Sequence, residues 1–585
     1  MQLGITDWAV IAIYFLLNLA IGLRYRRRAS RSLDEFFVSG RTIPWWLAGT
    51  SIVATTFAAD TPLAVTGMVA TGGIAGNWLW WNFVLSGMLT VFFYARLWRR
   101  SGVLTDVEFA ELRYAGKPAA FLRGFRAFYL AVPINLMVMG WVNLAMVKIL
   151  MLVLGVGKPT AIVLAAGLTA LTCFVSALSG LRGVLFADFI QFAIMMTMSI
   201  VLAVCAVQGV GGIGALKQRL GELDRAGSPL AFFPELDSAW MPVLTFLVYI
   251  AVNWWATWYP GAAPGGGDFT AQRIFSTRDE RSAVLATLWF NIAHYALRPW
   301  PWILVALVAL VTSPHLGDPE SGYLLVMRDY LPPALRGLML AGFAAAFMST
   351  VSTELNWGAS YLINDCYARF LRPGASERQL VRASRICTVV LAVAGATMPF
   401  FMDSIAGAWK VLLATGAGTG GPILLRWFWW RVNAWSEVSA MIAAFAISLT
   451  LQLGVGLDAN RPLDFAHLML ATVAGTTAVW LAVTFLTSPE PSGKLVEFYR
   501  RVRPYRILWG PIAKAAPDVP APSSAARDWL NWAAGCCLIY SALFGIGKLV
   551  LQEWTAAVLW LAFAAATGAV ISRSLSSSPT NAPDQ

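Results

Sequence analysis

The chain is constrained most by a succession of long apolar runs. They fall at about 5–23, 43–70, 78–97, 122–154, 159–178, 184–209, 240–262, 283–313, 336–361, 383–401, 405–429, 434–455, 465–487, 528–550 and 554–572. Each is near or above the ~20 residues an α-helix needs to cross a bilayer core. Transmembrane β-strands would be about half as long and would alternate in polarity, which these runs do not. The expectation is an all-α polytopic membrane protein with about fifteen transmembrane helices. Composition agrees: only 13% of the 585 residues are charged and 58% are hydrophobic. Soluble domains carry about 25% charged residues. A soluble enzyme or a nucleic-acid binder of this size is excluded, because it would need far more polar surface.

Charge distribution orients the spans. The first run has no basic residues before it, holds Asp7 near its start and is followed by Arg24, Arg26, Arg27 and Arg28. It reads as a first spanning helix with its N-terminus outside, not as a cleavable leader. Alternating from there places the arginine-bearing segments 24–42, 98–121, 263–282, 362–382 and 488–527 inside. The turns 155–158, 402–404 and 551–553, with Lys158 their single basic residue, fall outside. The net charge of +12 therefore reflects cytoplasmic loops of a plasma (inner) membrane protein, with a cytoplasmic C-terminus. The six cysteines and three histidines show no metal-ligand spacing, so neither a zinc site nor a disulfide framework is expected. Thr105-x-x-Glu108 is a capping box that predicts a short cytoplasmic helix over 105–115. Segment 210–239 has room for an amphipathic outer helix, 514–527 reads as a linker, and the tail after Ser574 as disordered.

Two runs are interrupted. In 43–70, Thr55, Thr56, Asp60, Thr61 and Pro62 fall in mid-span. In 240–270, Trp258-Tyr259-Pro260 and Pro264-Gly265-Gly266-Gly267 break the pattern. Proline and consecutive glycines free backbone groups, which lipid tolerates only beside protein or a wet cavity. Paired broken helices in two halves point to a secondary-transporter binding site; a kink plus an ordinary loop start is the plainer reading. Each break leads a set of five runs, and the odd number inverts one set against the other. The resulting scheme has an N-terminal helix and basic loop (1–42), a first repeat (43–209), an outer loop (210–239) and a second repeat (240–429). Two further helices (430–487), a linker (488–527) and two C-terminal helices with a tail (528–585) follow.

Asp60 is the sharpest single residue, because a mid-membrane carboxylate is costly and defaults to a functional role; a structural pair with a cation is the alternative. Ser349 and Thr350, on an Ala-rich helix, read on their own as hydroxyls bonded to carbonyls one turn back. Asp188 reads on its own as a helix N-terminal charge. His294 and Arg298 share a helix face. His294 could donate to a solute, couple protons or be satisfied by a carbonyl. Arg298 could pair with Glu354, meet a substrate carboxylate or snorkel outward. The Trp-rich stretches read mostly as interfacial belts, and 414–421 as a small-residue packing stretch. No phosphate-binding loop, catalytic triad or kinase signature appears, so no enzyme is expected.

Several segments resemble the sodium:solute symporter family, which includes sodium–sugar and sodium–proline cotransporters. They are Gly40-Arg41…Trp45-Trp46…Gly49…Ser51, Thr105…Glu108-Phe109…Arg113-Tyr114, Ser179-Gly180-Leu181-Arg182-Gly183…Asp188…Gln191 and Gln272-Arg273. The most specific is Gly337-Leu338-Met339-Leu340-Ala341…Ala344-Ala345-Ala346-Phe347-Met348-Ser349-Thr350 with Ser352 and Asn356. The resemblance spans about 20–430 and implies the inverted-repeat leucine-transporter (LeuT) fold with flanking helices. It implies a sodium site at the carbonyls of Ala54, Phe57 and Ala346 and the hydroxyls of Ser349 and Thr350, with Asp188 on the inner ion path. It places the solute near Thr56, Asp60, Thr61, Trp80, Tyr259 and His294. Asp60 resembles the aspartate of proline symporters; sugar carriers have a glutamate–glutamine pair there, and a glutamate where this chain has Trp80. The implied function is sodium-coupled symport of a small organic solute, with an amino acid or other small zwitterion or cation favoured. A sugar, an organic anion or proton coupling through Asp60 or His294 is the alternative. Sodium is the coupling ion, no organic cofactor is implied, and the partners are solute, sodium and lipid bilayer.

Overall fold

Backbone in lipid must satisfy its own hydrogen bonds, and every expected run is helical in the computed structural model of the chain. The structure describes residues 4–29, 39–224, 227–236, 238–520 and 524–576. Among these there is no named strand, only the isolated bridges Ile43↔Thr277 and Ser238↔Met241. Ten helices among the described residues are long and apolar enough to cross a membrane. The count is below about fifteen for two reasons. Asp60–Ser101 joins parts of two expected runs, and broken or partly described runs leave only shorter apolar helices such as Lys158–Phe174, Val243–Ala256 and Ile405–Thr415. Most of the basic segment 24–42 and the tail lie outside the described residues or have side chains outside them, as do the side chains of Ser179–Arg182.

Both expected interruptions are present. Helix Trp45–Thr55 stops, four residues intervene, and helix Asp60–Gly72 resumes. In the second, 257–267 separates Val243–Ala256 from Asp268–Ser276. Gly261, Gly265 and Gly266 there adopt φ of 77°, 71° and 73°, a conformation that side-chain-bearing residues rarely reach. A third interruption lies at 416–419, between Ile405–Thr415 and Gly420–Leu425, with Gly418 at φ 90°. Helix Leu335–Ser360 packs against Trp45–Thr55 and against the helix ending at Gly209, and Ile5–Ala29 packs against Leu335–Ser360 and the helix ending at Gly209.

The loop helix after Ser101 is shorter than expected, Phe109–Arg113, and has no side-chain cap; the Thr105–Glu108 pair instead holds the turn before it. Thr105 Oγ1 accepts from the Glu108 amide at 3.1 Å, and Glu108 Oε2 accepts from the Leu104 amide at 2.9 Å. Its Arg113 is buried and donates to the carbonyls of Arg426 (2.8 Å) and Val432 (3.2 Å), docking the loop on the turn at 426–432. Glu111 bridges Arg123 (2.6 Å) and Arg369 (2.8 Å), while Arg123 also reaches Asp365 at 2.5 Å. Segment 210–239 carries helix Gly212–Gly221. Segment 488–527 is more than a linker: helix Ser492–Val502 buries Leu495, Phe498, Tyr499 and Val502. Several tryptophans assigned to interfacial belts are core residues instead. Trp78, Trp80, Trp81 and Trp427 are all buried, because aromatic packing inside the bundle takes them up.

Candidate functional site

The break in the first interrupted helix opens onto a cavity. All six residues expected to face solute, Thr56, Asp60, Thr61, Trp80, Tyr259 and His294, line it. Their convergence follows from the backbone. Thr56 caps the end of Trp45–Thr55, and Asp60 is the first residue of the next helix, where free amides favour a negative charge. Tyr259 lies in the second break and stacks on Phe83 with centroids 5.1 Å apart. Trp80 is fixed by its indole N–H donating to Asn77 Oδ1 at 2.9 Å and by stacking on Tyr295 at 5.7 Å. Trp141 and Trp409 complete the apolar wall; sequence reading missed them, since an aromatic in an apolar run carries no mark of which face it takes.

His294 sits in a wide-turn stretch, Ile292–Leu297, of the kind frequent at functional sites. It and Arg298 belong to one closed network. Arg298 NH1 donates to the Val53 carbonyl (3.3 Å) and to Thr56 Oγ1 (3.1 Å), and NH2 faces His294 Nε2 at 3.3 Å. A guanidinium has only donors, so Nε2 accepts and Nδ1 carries the hydrogen. Nδ1 then donates to Thr56 Oγ1 at 2.9 Å, and Thr56 donates to the Val53 carbonyl at 2.9 Å. Arg298 also lies over Trp302 at 4.9 Å and Phe57 at 5.6 Å. It is buried and makes no ion pair with Glu354 among the described residues, so neither the snorkel nor that pairing holds. Asp60 Oδ1 and Glu354 Oε2 are buried without hydrogen-bond partners.

Of the five residues expected at sodium, only Thr350 lines the cavity. It donates from Oγ1 to the carbonyls of Thr55 and Ala346, both at 3.1 Å. The Thr55 bond joins the unwinding end of Trp45–Thr55 to Leu335–Ser360. The Ala54 carbonyl accepts from the Phe57 amide at 3.0 Å. Ser349 points elsewhere, donating to Asp188 Oδ1 at 2.5 Å, while Ser51 donates to Oδ2 at 2.6 Å. Asp188 is thus a buried bridge between three helices, with Arg273 at 4.0 Å. Arg273 in turn donates to Gln272 Oε1 (3.0 Å) and Thr353 Oγ1 (3.2 Å). Asp188, Ser349, Ala54, Phe57 and Ala346 do not line the cavity. Carbonyls and hydroxyls are the neutral oxygen ligands a hard cation accepts.

The profile of the sodium:solute symporter family matches residues 36–444. A sodium/mannose cotransporter of Bos taurus is 24% identical over 573 residues, covering 88% of this chain and 91% of its own length. A sodium/glucose cotransporter of Vibrio parahaemolyticus is 23% identical over 522 residues, with 84% and 93% covered. An osmoregulated proline transporter of Bacillus subtilis is 30% identical over 156 residues, with 25% and 31% covered. In three dimensions the chain is similar to a Na+-coupled sialic acid symporter in a substrate-bound outward-open state. The TM-score is 0.67 at 19% identity, over 84% of this chain and 99% of the other.

Proposed function

This chain belongs to the sodium:solute symporter family, and we propose that it imports a small organic solute, an amino acid or another small zwitterion or cation, across the plasma (inner) membrane. It is a multi-pass, all-helical membrane transporter of the LeuT type, not an enzyme, and its transport is sodium-coupled. Solute binds among Thr56, Asp60, Thr61, Trp80, Tyr259 and His294. Sodium binds at the carbonyls of Ala54, Phe57 and Ala346 and the hydroxyls of Ser349 and Thr350, and leaves along a path that includes Asp188. The N-terminus lies outside and the C-terminus inside. The repeats at 43–209 and 240–429 rock against each other to expose the cavity alternately.

One observation carries this reading: Thr350 lines the solute cavity and also holds the end of the broken helix through the Thr55 carbonyl. Ion and solute therefore act on one helix contact. The test is uptake by the double variant Ser349→Ala, Thr350→Ala. Sodium-stimulated uptake is expected to vanish while the protein remains folded; unchanged sodium dependence would remove the assignment. Proton coupling is the second reading, favoured by the unpartnered Asp60 Oδ1. Uptake driven by a pH gradient in sodium-free medium would establish it. His294 is the weaker relay, since its Nε2 already faces an Arg298 N–H.

A further inference from the structure

Three charged side chains line the cavity, Arg298, Asp60 and Glu354, and no ion pair joins any two of them among the described residues. Arg298 lines it, is 1% exposed, and bonds only to neutral groups: a carbonyl, a hydroxyl and an imidazole. Its Nε has no hydrogen-bond partner. Asp60 lines the same cavity, is 3% exposed, and leaves Oδ1 without a partner. No ion pair within 4.0 Å joins the two among the described residues. Opposite buried charges gain most by meeting; here each is held back, Arg298 by the Val53–Thr56–His294 network and Asp60 by its place at a helix start.

Resting on the reading of this cavity as the solute site, we infer that its solute is a zwitterion of the amino-acid class, with its carboxylate on Arg298 and its ammonium on Asp60. A planar guanidinium suits a carboxylate, which it can meet with two parallel N–H donors. A sugar leaves both buried charges uncompensated. A bare cation leaves Arg298 alone, and a bare anion leaves Asp60 alone. A zwitterion completes Arg298 and Asp60 and brings no net charge into the membrane interior; Glu354, whose Oε2 also lacks a partner, leaves the cavity a second carboxylate for the ammonium. Trp141, Trp409 and Tyr259 offer its remaining atoms an apolar wall.

The test uses the purified full-length protein and three matched trios: proline, pyrrolidine and cyclopentanecarboxylate; alanine, ethylamine and propionate; phenylalanine, phenethylamine and 3-phenylpropionate. Glucose and mannose serve as uncharged probes. Affinities are read from thermal shifts in sodium chloride and in potassium chloride. In at least one trio the zwitterion is expected to bind with sodium, and each truncated analogue to lose on the order of tenfold or more. Arg298→Lys, which keeps the charge but not the planar fork, should retain part of the preference for the zwitterion over the amine. Arg298→Gln should erase that preference and keep the one over the acid. Asp60→Asn should do the reverse, and this crossed pattern is one a merely structural role would not produce. If the Arg298 variants fail to fold, the wild-type trios and Asp60→Asn decide. The inference is overturned if a sugar, a bare amine or a bare acid binds best, if no zwitterion binds, or if the variants leave the preferences in place. Sodium-dependent sugar binding would do so while leaving symport intact; ligand binding indifferent to sodium would instead undo the symport reading.

Discussion

Asp188 shows how one buried carboxylate can be both costly and held. It accepts from Ser51 and Ser349, which lie on different helices, and has Arg273 at 4.0 Å. Hydrogen bonds to a charged group contribute about 1.5–3 kcal/mol each. Asp188→Asn is therefore expected to lower the thermal midpoint of the purified protein, and Asp188→Ala to lower it further, because Arg273 then loses its nearest countercharge. Equal midpoints in all three proteins would show that the bridge holds nothing. Glu111, in the loop helix, behaves differently. Burial alone would raise its carboxyl, but the guanidiniums of Arg369 and Arg123 outweigh this and hold it below the ordinary glutamate value. A carboxyl depressed on folding contributes stability above its unfolded value and loses it as pH falls through the folded one. The midpoint difference between wild type and Glu111→Gln should thus be full near neutrality and shrink below about pH 4. A difference independent of pH would refute the pairing. Single polar residues in apolar runs, such as Asp60 and His294, were legible because their cost marks them. The partners of Arg298 were not, since Val53 and Thr56 are more than two hundred positions away in the chain.

Helix interruptions were legible in part. Proline and glycine clusters marked the breaks after Thr55 and Ala256, whereas 414–421 read only as a packing stretch. Its glycines do pack, but against an interrupted helix that the local sequence cannot reveal. A Cβ added at Gly420 would lie 1.8 Å from the Trp255 carbonyl oxygen and 2.9 Å from its carbon. Backbone cannot rotate aside as a side chain can. Gly420→Ala is expected to cost about 1–3 kcal/mol or more through overpacking and to yield less folded protein with a lower midpoint. Gly421→Ala is the control: its Cβ would meet only the Trp480 ring at 3.4 Å, and alanine favours the helix by up to ~1 kcal/mol. If both variants behave alike, the close crossing at Gly420 is not what sets this element.

At the scale of the molecule, the arginine distribution read in the sequence suffices to propose an orientation, and the two sets of five runs suffice to propose inverted repeats. What joins the repeats was not legible, because it depends on pairs such as Arg123–Asp365 and Thr350–Thr55 that only packing creates. The second of these ties transport to thermodynamics. Thr350 faces the solute cavity and the proposed ion ligands together, so each occupant changes the contact that the other needs. Coupling between two equilibrium sites is reciprocal. If sodium tightens solute binding by some factor, solute must tighten sodium binding by the same factor, typically on the order of 5- to 150-fold. Both ratios can be measured by calorimetry on one preparation: solute titrated with and without sodium, and sodium titrated with and without solute. Equal ratios well above one are expected for the wild type. The double variant Ser349→Ala, Thr350→Ala should bring both ratios toward one together. Should solute affinity in the wild type prove the same with and without sodium, the shared helix contact cannot be the coupling element, whatever the ion does elsewhere in the bundle.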